Sequence, residues 1–278
     1  MNLVVQGRDV ATPDLQALAR LTGASSIEQI APAAFRLLGA DAHADLSGFC
    51  LSRELDFGYV PEGRRLGDFG LFVTDMDSTL ITIECIDEIA DMHGVKEQVA
   101  AITEAAMRGE MDFRASLRER VGLLAGLEAS ALQRVMDERL RLSEGAERLL
   151  GGLKAAGLRT VLVSGGFTFF TDRLKAQLGF DEAYANELEV VGGRLTGRLI
   201  GPILDGEAKW QHLNRCRDLA GLNPEQTIAV GDGANDLKML QAAGVGIAFR
   251  AKPIVQQKVP YALNYVGLDG ILNLFEIP

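Results

Sequence analysis

The sequence predicts an α/β protein: a doubly wound, Rossmann-like parallel sheet, with an inserted helical cap and a small N-terminal α+β unit. Three observations carry this expectation. Short apolar runs rich in β-formers, at 71–74, 160–163 and 227–230, each stop at a cluster of polar residues. Beyond residue 145 such runs alternate with segments whose apolar residues recur at helical spacing. Between the first run and the rest, the stretch 83–144 carries helical periodicity alone.

The chain has 278 residues, 47% of them hydrophobic and 24% charged, enough apolar material for a sizeable core. Its 28 basic and 38 acidic residues give a net charge of −10, which argues against a general nucleic-acid or anionic-membrane surface. An anionic substrate must then be met by a locally positive site. The three cysteines (Cys50, Cys85, Cys216) show no metal-ligand spacing, and so odd and sparse a count predicts reduced thiols in a cytoplasmic protein. The three histidines are scattered. No basic region followed by an apolar core opens the chain, and no apolar run reaches membrane-spanning length.

Residues 1–66 read as a separate small α+β unit. A strand is predicted at 3–5. Thr12-Pro13 has the pattern of an N-cap and first helical position, with Leu15, Leu18 and Ala19 on one face and Gly23 as the stop. A second helix is predicted at 32–38 and strands at 49–51 and 57–60, before a linker, Pro61-Glu62-Gly63-Arg64-Arg65. No chemical constellation falls here. Packing, dimer contact or regulatory ligand binding are the roles left to this unit.

The run at 71–74 ends in Asp75 and Asp77, followed by Ser78 and Thr79. A buried parallel strand with carboxylates just past its carboxyl end sits where open α/β sheets bind ligands. Strand alternation turns both carboxylates the same way, and they repel unless a cation lies between them or one holds a proton. Taken alone, a surface turn or N-cap explains the pair equally well. Four apolar stripes follow: Ile86, Ile89, Ala90; then Val95, Val99, Ile102, Ala106; then Leu117, Val121, Leu124; then Leu132, Val135, Met136, Leu140. A parallel crossover needs only about a dozen residues. This longer helical insert is therefore expected to be a lid or cap.

The sheet resumes after a helix at 145–156, stopped by Gly157. The strand at 160–163 runs into Ser164-Gly165-Gly166, and Phe167, Phe170, Leu174 and Leu178 line the next helix. Runs at 188–191 and 195–200, joined through Gly192-Gly193, predict a hairpin flap. A helix over 206–220 carries Lys209. The strand at 227–230 ends in Gly231-Asp232-Gly233-Ala234-Asn235-Asp236, a helix follows to Ala243, and strands at 245–249 and 262–266 complete the sheet.

Three strand ends thus carry polar groups, all expected on one edge of a parallel sheet. Oxygen ligands without His or Cys select a hard cation, Mg²⁺ first. The Ser164 hydroxyl, the backbone N–H groups at Gly165 and Gly166, and the Lys209 ammonium suit phosphate oxygens. One carboxylate could attack phosphorus while the other handles protons.

Asp75-Met76-Asp77-Ser78-Thr79, Ser164-Gly165-Gly166, Lys209 and Gly231-Asp232-Gly233-Ala234-Asn235-Asp236 resemble, in order, the four motifs of the haloacid dehalogenase superfamily of phosphohydrolases. The resemblance runs from about Phe69 to near the carboxyl end. It implies a HAD-like core over 67–82 and 145–278 and a helical-bundle cap over 83–144. It implies Asp75 as nucleophile and Asp77 as general acid/base. Mg²⁺ would be held by Asp75, the Asp77 backbone carbonyl and Asp232, with Asp236 orienting metal-bound water. Ser164, Gly165, Lys209 and Asn235 would bind phosphate. The family's pattern also places Glu84 on a substrate ammonium, Arg120 on a carboxylate, and Met107 and Phe113 against the substrate. The resemblance thereby implies O-phospho-L-serine as the substrate, hydrolysed in the last step of serine biosynthesis. Arg120 pairing with Glu119 or Glu88, and Phe113 as core, are the competing readings. Two other activities remain open: a phosphotransferase serving another small alcohol, and an aspartate-phosphoacceptor signalling module. The small-molecule substrate is the expected partner, with no nucleic acid and no membrane, in a monomer or homodimer.

Overall fold

The computed structural model describes residues 1–276. The first part of the chain runs β1 (Asn2–Gly7), α1 (Thr12–Thr22), β2 (Ser26–Ala31), β3 (Ala34–Leu38), α2 (Leu46–Leu51) and β4 (Leu55–Val60). These form an antiparallel four-stranded sheet in the order β2-β3-β1-β4, a βαββαβ arrangement. The helices cover one face, where Leu3, Val5 and Leu37 meet Leu15, Leu18, Leu46 and Cys50.

Two expectations fail in this part. The helix predicted at 32–38 is a turn leading into β3, and β2 was not foreseen at all. The segment is extended because β3 hydrogen-bonds along β1, Leu3 opposite Leu37, and that pairing overrides a local pattern compatible with helix. The strand predicted at 49–51 is the end of α2, in which Leu46 and Cys50 bury one turn apart. The α1 helix starts one residue earlier than read: Ala11 is its cap, and Thr12 is already helical. Gly23, at φ 68°, stops it as anticipated.

The main sheet is built from β5 (Leu71–Thr74), β6 (Arg159–Phe167), β7 (Glu182–Val191), β8 (Arg194–Ile200), β9 (Thr227–Gly231), β10 (Val245–Phe249) and β11 (Tyr261–Leu263). Its order is β11-β10-β9-β5-β6-β7-β8. All pairs are parallel except the β7–β8 hairpin. The chain leaves β5 for β6 on one side and later returns to β9 on the other. That reversal opens a crevice at the carboxyl end of β5.

Between β5 and β6 come α3 (Cys85–His93), α4 (Lys96–Met107), α5 (Phe113–Gly122) and α6 (Ser130–Arg134), then α7 (Ala146–Ala155). Later come α8 (Thr168–Leu178), α9 (Gly206–Leu219) and α10 (Leu237–Ala242). Both faces of the sheet are covered, which is why β5 reads as a continuous apolar run. Phe72 and Leu162 pack with Leu149, Leu153, Phe170 and Leu174 of α7 and α8. Val73, Val161 and Ala229 pack with Leu213, Cys216, Met239 and Leu240 of α9 and α10. Each fully buried side chain of this size contributes about 1.5–3 kcal/mol. No described helix is long and apolar enough to cross a membrane.

The two sheets are joined by polar contacts. The buried Asp56 carboxylate accepts the backbone N–H groups of Asn264, Tyr265 and Val266 at 2.7, 2.9 and 3.1 Å. Burial raises the Asp56 pKa, and these three donors oppose it. They also explain why β11 ends at Leu263 instead of running over 262–266. The next three N–H groups turn toward Asp56 and leave the ladder.

Candidate active site

Lys209, in the first turn of α9, is fully buried, with its ammonium 2.7 Å from Asp75 Oδ2 and 2.7 Å from Asp236 Oδ1. Burial by itself pushes the lysine pKa down, but Asp236 and Asp75 outweigh it and hold it above the ordinary value. Asp75 caps the turn that follows β5, accepting the Met76 N–H on Oδ1 at 2.7 Å. Its carboxyl is held well above the usual range by burial first, then by the Asp236 charge, against the pull of Lys209. Asp75 therefore ends β5 in contact with a helix that lies more than a hundred residues further along the chain.

After Asp75 the chain leaves the extended conformation. Ser78 has φ 54°, a left-handed backbone without glycine, costing on the order of 1 kcal/mol. It is held by its N–H donating to the Ile83 carbonyl at 3.1 Å and its Oγ donating to Glu84 Oε1 at 2.7 Å. Strand alternation accordingly stops short of Asp77. Asp77 Oδ1 accepts the Cys85 N–H at 3.1 Å, and the carboxyl is pushed up to about 7, by burial and then by Glu84. Glu84, not Asp75, is the carboxylate that most perturbs it. A Cβ on Gly166 would meet Asp77 Oδ2 at 2.5 Å, so only glycine lets the β6 end approach so closely.

The loop after β9 supplies the third side. Asp236 is fully buried and spends its second oxygen on the Gly233 N–H at 2.9 Å. Asp232 Oδ1 accepts the Thr79 hydroxyl at 3.2 Å, and its pKa is raised to about 6 by burial and Asp236. A carboxylate oxygen from each of Asp75, Asp232 and Asp236 can be chosen so that all lie within 4.8 Å of one another. An all-oxygen donor set fits a hard divalent cation. The Asp77 side chain is not part of that cluster.

These groups adjoin a cavity of about 1140 Å³ between the strand ends and helices α4 and α5. Asp75, Asp77, Gly165, Asp232 and Asn235 line it from the sheet, and Glu84, Met107, Phe113 and Arg120 line it from the helical side. Ser164 and Lys209 are fully buried behind this lining, Ser164 Oγ accepting the Gly166 N–H at 2.9 Å. Phe113 lies over Gly165, where a Cβ would come within 3.2 Å of its ring. Met107 is 62% exposed at the mouth, its Sδ 3.3 Å from Lys252 Nζ. Ala106, half-buried, also borders the cavity.

Arg120 is in no ion pair among the described residues. Its Nε donates to the Ser116 carbonyl at 3.4 Å and its Nη1 to Thr103 Oγ1 at 3.5 Å. Glu88, a competitor read from the sequence, is taken instead by Arg139 at 2.6 Å. Desolvation lowers the Arg120 pKa, and Asp87 and Glu84 oppose it.

Several contributors escaped the sequence. Asn186 of β7 is buried, donating to the Gly165 carbonyl at 2.8 Å and accepting the Leu204 N–H at 2.7 Å, which fixes the carboxyl end of β6. Arg114 Nε donates to Asp205 Oδ2 at 2.6 Å, tying α5 to the cap of the helix that carries Lys209. Asp205 caps α9, and its residue type just before that helix is the signal that could have found it. The partners of Asn186 and Arg114 left no such signal.

A family model for haloacid dehalogenase-like hydrolases matches residues 72–241. A second model, described only as a domain of unknown function, matches residues 3–46. The chain is 52% identical over 215 residues to the phosphoserine phosphatase of Polaromonas sp. (strain JS666), covering 76% of this chain and 91% of that protein. A crystal structure of a probable phosphoserine phosphatase from Vibrio cholerae, in unliganded form, superposes with a TM-score of 0.87 at 36% identity. It covers 98% of this chain and 85% of that one. A structure described as a phospho-aspartyl intermediate analogue of phosphoserine phosphatase superposes with a TM-score of 0.70 at 42% identity, covering 75% of this chain and 99% of that one.

Proposed function

Since this chain belongs to the haloacid dehalogenase-like hydrolases, we propose that the cavity hydrolyses O-phospho-L-serine to L-serine and inorganic phosphate through an aspartyl phosphate on Asp75. One observation carries the reading. The Asp75–Lys209–Asp236 group closes one side of a cavity whose other side presents Glu84 and a guanidinium without a carboxylate partner, Arg120.

Asp75 attacks phosphorus, and the serine oxygen leaves with the proton of Asp77. Water then attacks the acyl phosphate while Asp77 takes its proton, returning both carboxyls to their starting state. A carboxyl held near neutrality suits both halves of that exchange. Lys209, Asn235 and the Gly165 backbone stabilise charge on the equatorial oxygens, with the Ser164 hydroxyl behind them. Asp75, Asp232 and the Asp77 carbonyl would hold Mg²⁺, with Asp236 beside them. The ion, when bound, supplies positive charge to the phosphoryl oxygens. The carboxylate of Glu84 pairs with the substrate ammonium, Arg120 with its carboxylate, and Met107 and Phe113 form the apolar wall. Helices α3 to α6, within 83–144, act as a cap over the core of 67–82 and 145–278, apart from the unit 1–66. The buried free thiols Cys50, Cys85 and Cys216 fit a cytoplasmic enzyme.

Phosphate release from O-phosphoserine tests the reading directly. Turnover is expected with Mg²⁺, loss on chelation, and recovery when Mg²⁺ is returned. Turnover undiminished in excess chelator would sink the metal assignment. Arg120→Ala is expected to raise KM for phosphoserine by about 10- to 100-fold, the loss of a charge-assisted bond of roughly 1.5–3 kcal/mol. Phosphoethanolamine, which has no carboxylate, is expected to be hydrolysed as before.

A further inference from the structure

Ser116, three residues into α5, is 1% exposed, and its hydroxyl has no hydrogen-bond partner in the protein. Ser116 is nevertheless among the residues that line the cavity, with Leu117 and Arg120. A helical serine commonly settles its hydroxyl on the carbonyl one turn back. Here that carbonyl belongs to Asp112 and accepts only the Ser116 backbone N–H, at 3.0 Å. A buried hydroxyl with no acceptor destabilises a fold, and it persists where a ligand supplies the missing oxygen.

Arg120 stands one turn further along the same face. Its guanidinium cannot accept a hydrogen bond, so Arg120 and Ser116 cannot satisfy each other. Thr103, on the facing helix α4, gives its own proton to the Val99 carbonyl at 3.0 Å and offers a lone pair to Arg120 Nη1. The helix therefore carries an unpartnered hydroxyl and a steered guanidinium one turn apart, both donors. A group with two anionic oxygens accepts from both at once.

We propose that Ser116 is a specificity-determining residue, its hydroxyl donating to the substrate carboxylate alongside Arg120, with Thr103 as the positioning residue for that guanidinium. This rests on the reading of the site given above and extends it. A pocket with two committed donors rejects a phosphomonoester that lacks the carboxylate, because both are then left unpaired.

The test compares Ser116→Ala and Arg120→Ala with the wild-type chain, by steady-state kinetics on phosphoserine and phosphoethanolamine and by thermal melting without substrate. For Ser116→Ala, KM for phosphoserine is expected to rise about tenfold with kcat nearly unchanged, the range of one hydrogen bond to a charged group. Its kcat/KM for phosphoethanolamine should not fall, because the hydroxyl makes no contact with that substrate. Its melting temperature should not fall, because the hydroxyl has no protein partner to lose. If Arg120→Ala discriminates between the two substrates and Ser116→Ala does not, the Ser116 assignment is overturned and the site reading stands. If neither discriminates, the carboxylate site itself is misplaced and both fall. A lowered melting point with equal loss on both substrates would make Ser116 structural and also overturn the proposal.

Discussion

Asp75→Asn is expected to stop transfer of phosphate to the protein and to lower kcat by at least ~10⁴-fold, the scale on which removal of a covalent nucleophile acts. The amide keeps nearly the same volume and can still accept the Met76 N–H, so the turn after β5 should survive. What it loses is the anionic oxygen that faces Lys209 at 2.7 Å. Quenching a reaction with labelled phosphoserine and measuring acid-stable label on the chain separates this variant from the wild type. Label on the variant would mean that another group attacks phosphorus. Asp77→Asn provides the contrast. It should leave the nucleophile in place and slow the departure of the alkoxide, because an amide cannot deliver the proton that Asp77 carries.

Lys209→Met is expected to cost both stability and activity. Among the described residues, the ammonium is the only cation in contact with two carboxylates that are themselves buried. Removing one partner of a buried, hydrogen-bonded ion group typically costs about 3–5 kcal/mol, because the remaining charges stay desolvated and unpaired. Urea unfolding in the presence of a chelator should show that loss. Without the ammonium, Asp75, whose carboxyl burial and the Asp236 charge already hold above the usual range, relieves the repulsion by taking up a proton, so the deficit should shrink at low pH. Adding Asp236→Asn to Lys209→Met removes one of the two stranded charges and should return part of the stability. It should not return activity, because the charge that faces the phosphoryl oxygens is still missing. Recovery of turnover in the double variant would assign Lys209 a purely structural role.

The elements that carry chemistry were legible because their signals are local. An apolar run ending in Asp75 and Asp77 is a strand end whatever surrounds it, and the same holds for Asp232. At Ser164, by contrast, the strand runs on through the glycines to Phe167, which was expected on the next helix. The helices between β5 and β6 announced themselves by spacing alone, as did the stop at Gly23. Local signals misled where two structures fit one short segment. Residues 34–38 became a strand because β1 was available to pair with them, and 49–51 became a helix because Leu46 and Cys50 share a buried face.

Sequence alone determined the order of the motifs, the alternation of strand and helix, and the residue types gathered at the strand ends. These follow from periodicity and from the chemistry of single side chains. Tertiary structure decided which groups are paired and which are left free. It gave Glu88 to Arg139 and kept Arg120 available, and it drew the N–H groups after β11 onto Asp56. It also set Lys209 between Asp75 and Asp236, and left the Ser116 hydroxyl without a partner at the cavity wall. A hydrogen bond or ion pair depends on a few ångströms between residues far apart in the chain, and periodicity holds no record of that distance.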